Sequence, residues 1–184
     1  MTRTTTNKIK IVESLVVFGF IIILSSTFAF ASEITPENIV NAVNKERETR
    51  FLSPLKINSS LHNAAKNKSI DMITRNYFEH YAYGQTPWLF IQAEGYDYLV
   101  AGENLALGFN TAEGIVNAWM NSPTHRANIL NPEYEDIGVG VVRGAFTEGN
   151  RTTDTTITTE IVAKPKPKIN QIFDKIVGAF SRIF

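Results

Sequence analysis

The 184-residue sequence contains no cysteine, which excludes a disulfide framework as a source of stability. It has no internal repeat and no low-complexity block beyond a short Lys-Pro stretch, which excludes a repeat array. Charged residues make up only 20% of the chain, whereas apolar residues make up 43%. This length and composition suffice for one packed domain with tails, and its stability must come from core packing.

Positive charge is scarce in the body of the chain and concentrated near its end. Residues 32–163 carry 10 Lys and Arg against 16 Asp and Glu, a net charge of about −6. Residues 164–184 carry five basic residues and one acid. Because nucleic-acid binding depends on basic surface, a mildly acidic body gives no support to a nucleic-acid partner.

The first 31 residues have the three parts of an export signal. A basic start is followed by the apolar run 15–24, and Ala29-Phe30-Ala31 supplies the small-x-small pattern that precedes cleavage. A retained membrane anchor is the alternative, because no charge falls between Glu13 and Glu33. In both interpretations the basic end stays inside, so we expect a secreted or membrane-attached extracytoplasmic domain.

Helical patterns precede strand patterns in the body of the chain. Capping residues and apolar spacing predict four helices, followed by a short helical turn, at residues 35–50, 60–76, 86–95, 111–119 and through His125. Alternating residues and turn-rich connections predict two late strands, Ile137–Val142 and Thr155–Ala163. This order indicates an α+β fold with an antiparallel sheet.

Four motifs occur in a specific order and spacing. They are Phe78-Glu79-His80, Gly102-Glu103-Asn104-Leu105-Ala106, the stretch Trp119–Leu130 with Ser-Pro-x-His-Arg inside it, and Gly138-Val139-Gly140. Together they resemble the CAP superfamily (cysteine-rich secretory proteins, antigen 5 and pathogenesis-related 1), and in particular its short, cysteine-free bacterial branch. The resemblance covers roughly residues 34–163. It implies an α–β–α sandwich with a central antiparallel sheet and an open cleft lined by His80, Glu103 and His125.

Glu103 lies in an otherwise apolar run, so we expect its carboxylate to be partly buried and to need a partner. The candidates are a backbone N–H group, Arg47, or a histidine across the cleft. Arg126 and Asn128 are expected to tie down the turn around His125 by hydrogen bonds.

The three cleft residues have two chemical interpretations. Two histidines and a glutamate are the ligand set of an open site for a divalent metal such as zinc, and they are also an acid–base set for hydrolysis. No His-Glu-x-x-His helix supports the metal interpretation locally. Many family members have a second glutamate three residues after the tryptophan, where this chain has Ser122. Whether Ser122 or Glu160 joins the cleft is open at this point.

The end of the chain has its own pattern. Residues 164–168 alternate Lys and Pro, which is typical of a stiff, extended linker between the domain (32–163) and the segment that follows. Residues 169–184 place eight large apolar side chains at helical spacing, which predicts an amphipathic helix. Such a face must be buried somewhere. We expect it to lie on a membrane surface, with self-association as the alternative.

These features favour a secreted or surface-held CAP module whose His/Glu cleft binds an apolar ligand, a metal ion or an envelope partner. The alternative is an extracellular, protease-like hydrolase, metal-assisted or not, that uses His80, Glu103 and His125. Binding is favoured over catalysis because a fold does not specify a reaction and the sequence offers no complete nucleophilic set.

Overall fold

A computed structural model describes residues 32–167, which form five helices and four strands. The helices are α1 (Pro36–Glu48), α2 (Ser59–Arg75), α3 (Pro87–Ala93), α4 (Ala112–Asn121) and α5 (Pro123–Ile129). The strands are β1 (Lys56–Ile57), β2 (Tyr98–Leu107), β3 (Asp136–Glu148) and β4 (Arg151–Pro165). The segments predicted as export signal or anchor (1–31) and as amphipathic helix (169–184) lie outside the described residues.

Polar side chains begin three of the helices. Side-chain oxygens of Thr35, Asn58 and Thr111 accept hydrogen bonds from backbone N–H groups in the first turns of α1, α2 and α4. These N–H groups have no partner inside the helix, so each cap stabilises the helix start by about 1 kcal/mol. In the described part of the chain, no helix has both the length and the apolar character to cross a membrane.

The four strands form one mixed sheet in the order β1-β3-β4-β2. β4 pairs antiparallel with both β3 and β2, as an α+β fold predicts. The sheet is not wholly antiparallel, however, because the two-residue strand β1 runs parallel to β3. β4 also continues past Ala163, where the domain was predicted to end: Lys164 and Pro165 still pair with β2.

Helices pack on the sheet through alternate residues of β4. Val162 lies in a cluster with apolar residues of α1, α4 and α5, whereas Ile161 and Ala163 pack with α2 and α3. Because neighbouring residues of a strand point to opposite faces, these two clusters lie on opposite faces of the sheet. β2 is an edge strand, so residues from both faces can meet along it.

A buried arginine connects α1 to the segment between α5 and β3. Arg47 is almost fully buried, and its guanidinium donates hydrogen bonds to backbone carbonyl groups. The acceptors are the carbonyl oxygens of Ser53 (2.9 Å), Ile129 (2.7 Å), Asn131 (2.9 Å) and Tyr134 (3.5 Å). Arg47 therefore holds the end of α5, and does not serve as the hydrogen-bond partner of Glu103.

Candidate functional site

The centre of the candidate site is a hydrogen-bonded carboxylate–histidine pair. Glu103 lies on the edge strand β2, and its side chain is only 2% exposed. His80 lies in the connection that follows α2, and its side chain is 44% exposed. His80 Nδ1 is 2.6 Å from Glu103 Oε1. Of the three candidate partners for the Glu103 carboxylate, the histidine is therefore the one that forms the hydrogen bond.

The carboxyl group of Glu103 is buried, and its pKa is raised as a result. Burial raises the pKa of Glu103, while the hydrogen bond to His80 and the charge of Lys68 lower it less than burial raises it. Within residues 32–167, Glu103 Oε2 is buried and has no hydrogen-bond partner. One carboxylate oxygen thus orients the imidazole, and the other is an unmatched acceptor next to it.

His125 lies in the short helix α5 and is half-buried. Burial lowers the pKa of His125, and the charge of His80 lowers it further. Among the described residues, the ring of His125 forms no hydrogen bond with Glu103. In the described structure, His80 is thus hydrogen-bonded to Glu103, whereas the ring of His125 is not.

An asparagine network fixes α5 against β2. Asn104 Nδ2 donates to Glu160 Oε2 (2.6 Å) and to the His125 carbonyl (3.1 Å). Asn128 Nδ2 donates to Asn104 Oδ1 (2.8 Å) and to the Glu103 carbonyl (3.0 Å). These bonds determine where the backbone of His125 lies, and they give Asn128 the structural role predicted from the sequence.

The two residues left open from the sequence do not bond to the pair. Glu160 pairs in register with Asn104 and Ile161 with Glu103, so the Glu160 side chain lies on the opposite face of the sheet from Glu103. Ser122 precedes α5, and its Oγ lies 3.2 Å from Thr124 Oγ1. In the described structure, neither side chain hydrogen-bonds to His80 or Glu103.

A family model described as the cysteine-rich secretory protein family, CAP, matches residues 40–156. The chain belongs to the CAP family. The protein YkwD of Bacillus subtilis is 45% identical over 108 residues, which make up 58% of this chain and 42% of YkwD. A second B. subtilis relative, the membrane protein YlbC, is 32% identical and is covered over 33% of its length. The chain thus spans less than half of the length of these curated relatives.

Two solved structures have a similar fold. An extracellular protein with an SCP domain from Bacillus anthracis gives a TM-score of 0.60 at 25% identity, over 70% of this chain and 40% of that one. An outer surface protein of Borrelia burgdorferi gives a TM-score of 0.61 at 25% identity, over 74% of this chain and 99% of that one. These homologues are extracellular or outer-surface proteins.

The three cleft residues of this CAP domain do not fit a metal centre as they are arranged. Among residues 32–167, no three His, Asp or Glu side chains come close enough together to hold one ion. His80 already directs Nδ1 at Glu103. A zinc site usually needs three protein ligands converging on one point, and the described residues contain no such group of three.

A groove of about 910 Å³ lies beside the end of β2 in the CAP domain. It is formed by the β3–β4 hairpin, the loop after β2 and the start of the described chain, and its apolar lining includes Ile34, Phe109 and Val141. His80, Glu103 and His125 do not line it. An apolar ligand in this groove would therefore be lined by residues other than the His80–Glu103 pair.

Sequence reasoning overlooked Lys68, a buried lysine beneath His80. Its ammonium donates to the carbonyl oxygens of Glu79 (3.0 Å) and His80 (3.2 Å). A signal was available in α2, because Lys68 is seven residues after Leu61 and four before Met72, on the face that the apolar spacing predicts to be buried. A charged residue on a buried face needs a specific set of partners.

Proposed function

We propose that the chain is an extracellular binding module whose His80–Glu103 pair contacts a polar group of an envelope partner. The observation that carries the proposal is the 2.6 Å contact between an exposed imidazole and a buried carboxylate. An ionised carboxylate accepts the Nδ1 proton, so the ring is held in one orientation and its other nitrogen is left to bind outward. A polar partner suits this geometry better than an apolar ligand.

The setting of the pair supports a role at a surface. The relatives with solved structures are named as extracellular and outer-surface proteins, and residues 1–31 have the pattern of an export signal or anchor. We interpret the helices on both faces of the sheet as the α–β–α sandwich that the family resemblance implies. The partner would then bind at the open edge of the sheet, which β2 forms.

The binding proposal is tested with His80→Ala in the chain from Ser32 to Pro167, which lacks the apolar residues 169–184 and so cannot bind through them. We expect at least about tenfold weaker cosedimentation with envelope fragments of the producing cell, because the variant loses the oriented imidazole. Glu103→Gln should weaken binding as well, since a neutral amide no longer holds the ring as a carboxylate does. His62→Ala is the matched control, because His62 is a half-buried histidine on α2 that is remote in sequence from the motifs. Unchanged binding of His80→Ala would refute the proposal.

Hydrolysis is the second candidate, and one observation favours it: a buried carboxylate orienting a histidine is an arrangement found in general-base catalysis. Against it, Ser122 Oγ lies next to Thr124 Oγ1 and has no hydrogen bond to a histidine in the described structure. The purified chain, assayed with a panel of peptide and ester substrates with and without added zinc, should show no turnover. Turnover that disappears in His125→Ala would establish the hydrolase instead.

We further propose that residues 169–184 attach the domain to a membrane surface. Lysines before the apolar stripe would each add about 1 kcal/mol of attraction to anionic lipid, and the apolar face would enter the interface. A chain from Ser32 to Phe184 should cosediment with phosphatidylglycerol vesicles, and one ending at Pro167 should not. The cut belongs after Pro167 because Lys166 N still donates to the Asp97 carbonyl (2.9 Å). If the longer chain does not bind vesicles, self-association in solution is the alternative to test. If the longer chain is also monomeric, residues 169–184 must instead pack on their own domain.

A further inference from the structure

Lys68 is a buried ammonium with a complete set of hydrogen-bond acceptors. The residue is 1% exposed. Its Nζ donates to Tyr77 Oη (3.2 Å) and to the carbonyl oxygens of Glu79 (3.0 Å) and His80 (3.2 Å). An ammonium group has three N–H donors, so each of them has a partner.

The ammonium is surrounded by aromatic rings and carboxylates at longer range. The ring centres of Tyr77 and Phe90 lie 4.8 and 5.6 Å from Nζ. Burial lowers the pKa of Lys68, and the charges of Glu103, Asp71 and Glu79 raise it, Glu103 most strongly. In the described structure no carboxylate oxygen lies within 4.0 Å of Nζ. Lys68 therefore interacts with Glu103 through space and with His80 through its main chain.

The chain that carries His80 has no regular secondary structure to hold it. Residues 77–79 lie outside every helix and strand, between the end of α2 and the short helix α3. The carbonyl groups of Glu79 and His80 point inward at one ammonium, which thus replaces the missing backbone hydrogen bonds. A methionine could fill the same space without the cost of burying a charge. A lysine at this position is therefore explained by the acceptors that its ammonium reaches.

We propose that Lys68 is the positioning residue of the site: its ammonium clamps the Glu79–His80 main chain so that His80 Nδ1 stays hydrogen-bonded to Glu103. The inference deepens the proposed function and rests on it for one point, namely that the His80–Glu103 pair binds an envelope partner. The geometry that Lys68 maintains can be measured without any ligand.

The test is Lys68→Met in the chain from Ser32 to Phe184, followed by NMR of the His80 ring. The wild-type chain should show the downfield proton of an Nδ1–H group bonded to a carboxylate, with the ring ¹⁵N shifts of a single orientation. Lys68→Met should lose the downfield proton and show averaged ring ¹⁵N shifts while its far-UV circular dichroism stays unchanged. Lys66→Met is the control, because Lys66 lies on the same helix but is exposed, and it should keep the wild-type signals.

If Lys68→Met does not fold, Lys68→Gln replaces it. Its amide is polar but about one bond too short to reach both carbonyl groups, so the same loss is expected. A folded variant at position 68 with the wild-type His80 signals would overturn the inference. Envelope binding is measured in a separate experiment. A wild-type chain that does not bind envelope fragments would contradict the proposed function. The NMR signals of His80 would still decide whether Lys68 positions the ring.

Discussion

Replacing Gly138 or Gly140 with alanine is expected to lower the free energy of unfolding by about 3 kcal/mol or more, or to prevent folding. The two glycines lie on β3, where α2 crosses the sheet. A Cβ atom at Gly138 would overlap the backbone at Leu61, and one at Gly140 would overlap the backbone at Lys66. Backbone atoms of a packed helix cannot rotate away, so the whole helix would have to move.

Gly144→Ala is the matched control for that prediction. Gly144 is on the same strand and faces the same helix, but its added Cβ would meet the side chain of Ile73 at 2.8 Å. A side-chain methyl group can shift to another rotamer, so a loss of about 1 kcal/mol or less is expected. Urea unfolding of the three variants measures the difference. Equal midpoints for Gly140→Ala and Gly144→Ala would show that α2 does not approach β3 as closely as described.

Local signals predicted most of the helices and two of the strands, but not β2. Capping residues and Pro at the first turn place the starts of α1, α3 and α4 close to their predicted positions. β2 was missed because its run from Tyr98 to Leu107 is apolar at most positions and therefore shows no alternation. β1 is two residues long and exists only because it pairs with β3, which no local pattern specifies.

The candidate residues were chosen by their motifs, and their geometry could not be predicted from the sequence. His80 and Glu103 are 23 residues apart, and only the fold brings them to 2.6 Å. Alternation within β4 could not place Glu160, because alternation alone does not show which set of side chains lies on the same face of the sheet as Glu103. The pairing of Glu160 with Asn104 settles it, and that pairing depends on β2, the strand that was not predicted.

The fully buried Glu160 is expected to stabilise the domain more at pH 5 than at pH 8. Burial raises the pKa of Glu160 from 4.5 to about 7, although the hydrogen bond from Asn104 and the charge of Arg47 oppose the rise. A carboxyl group with a raised folded-state pKa holds its proton more tightly in the folded protein. Its contribution to stability is therefore complete below pH 4.5 and is lost as the pH rises through 7.

Glu160→Gln isolates this contribution, because the amide oxygen can still accept the hydrogen bond from Asn104 while the group no longer titrates. We expect the free energy of unfolding of the variant, relative to wild type, to rise by roughly 2–3 kcal/mol between pH 5 and pH 8. Glu103, whose pKa is also raised, remains in both proteins and cancels in the difference. Urea unfolding at matched ionic strength gives the two curves. A difference that does not change with pH would mean that the nearby guanidinium of Arg47 keeps Glu160 ionised throughout, and that the buried carboxylate is a permanent charge in the core.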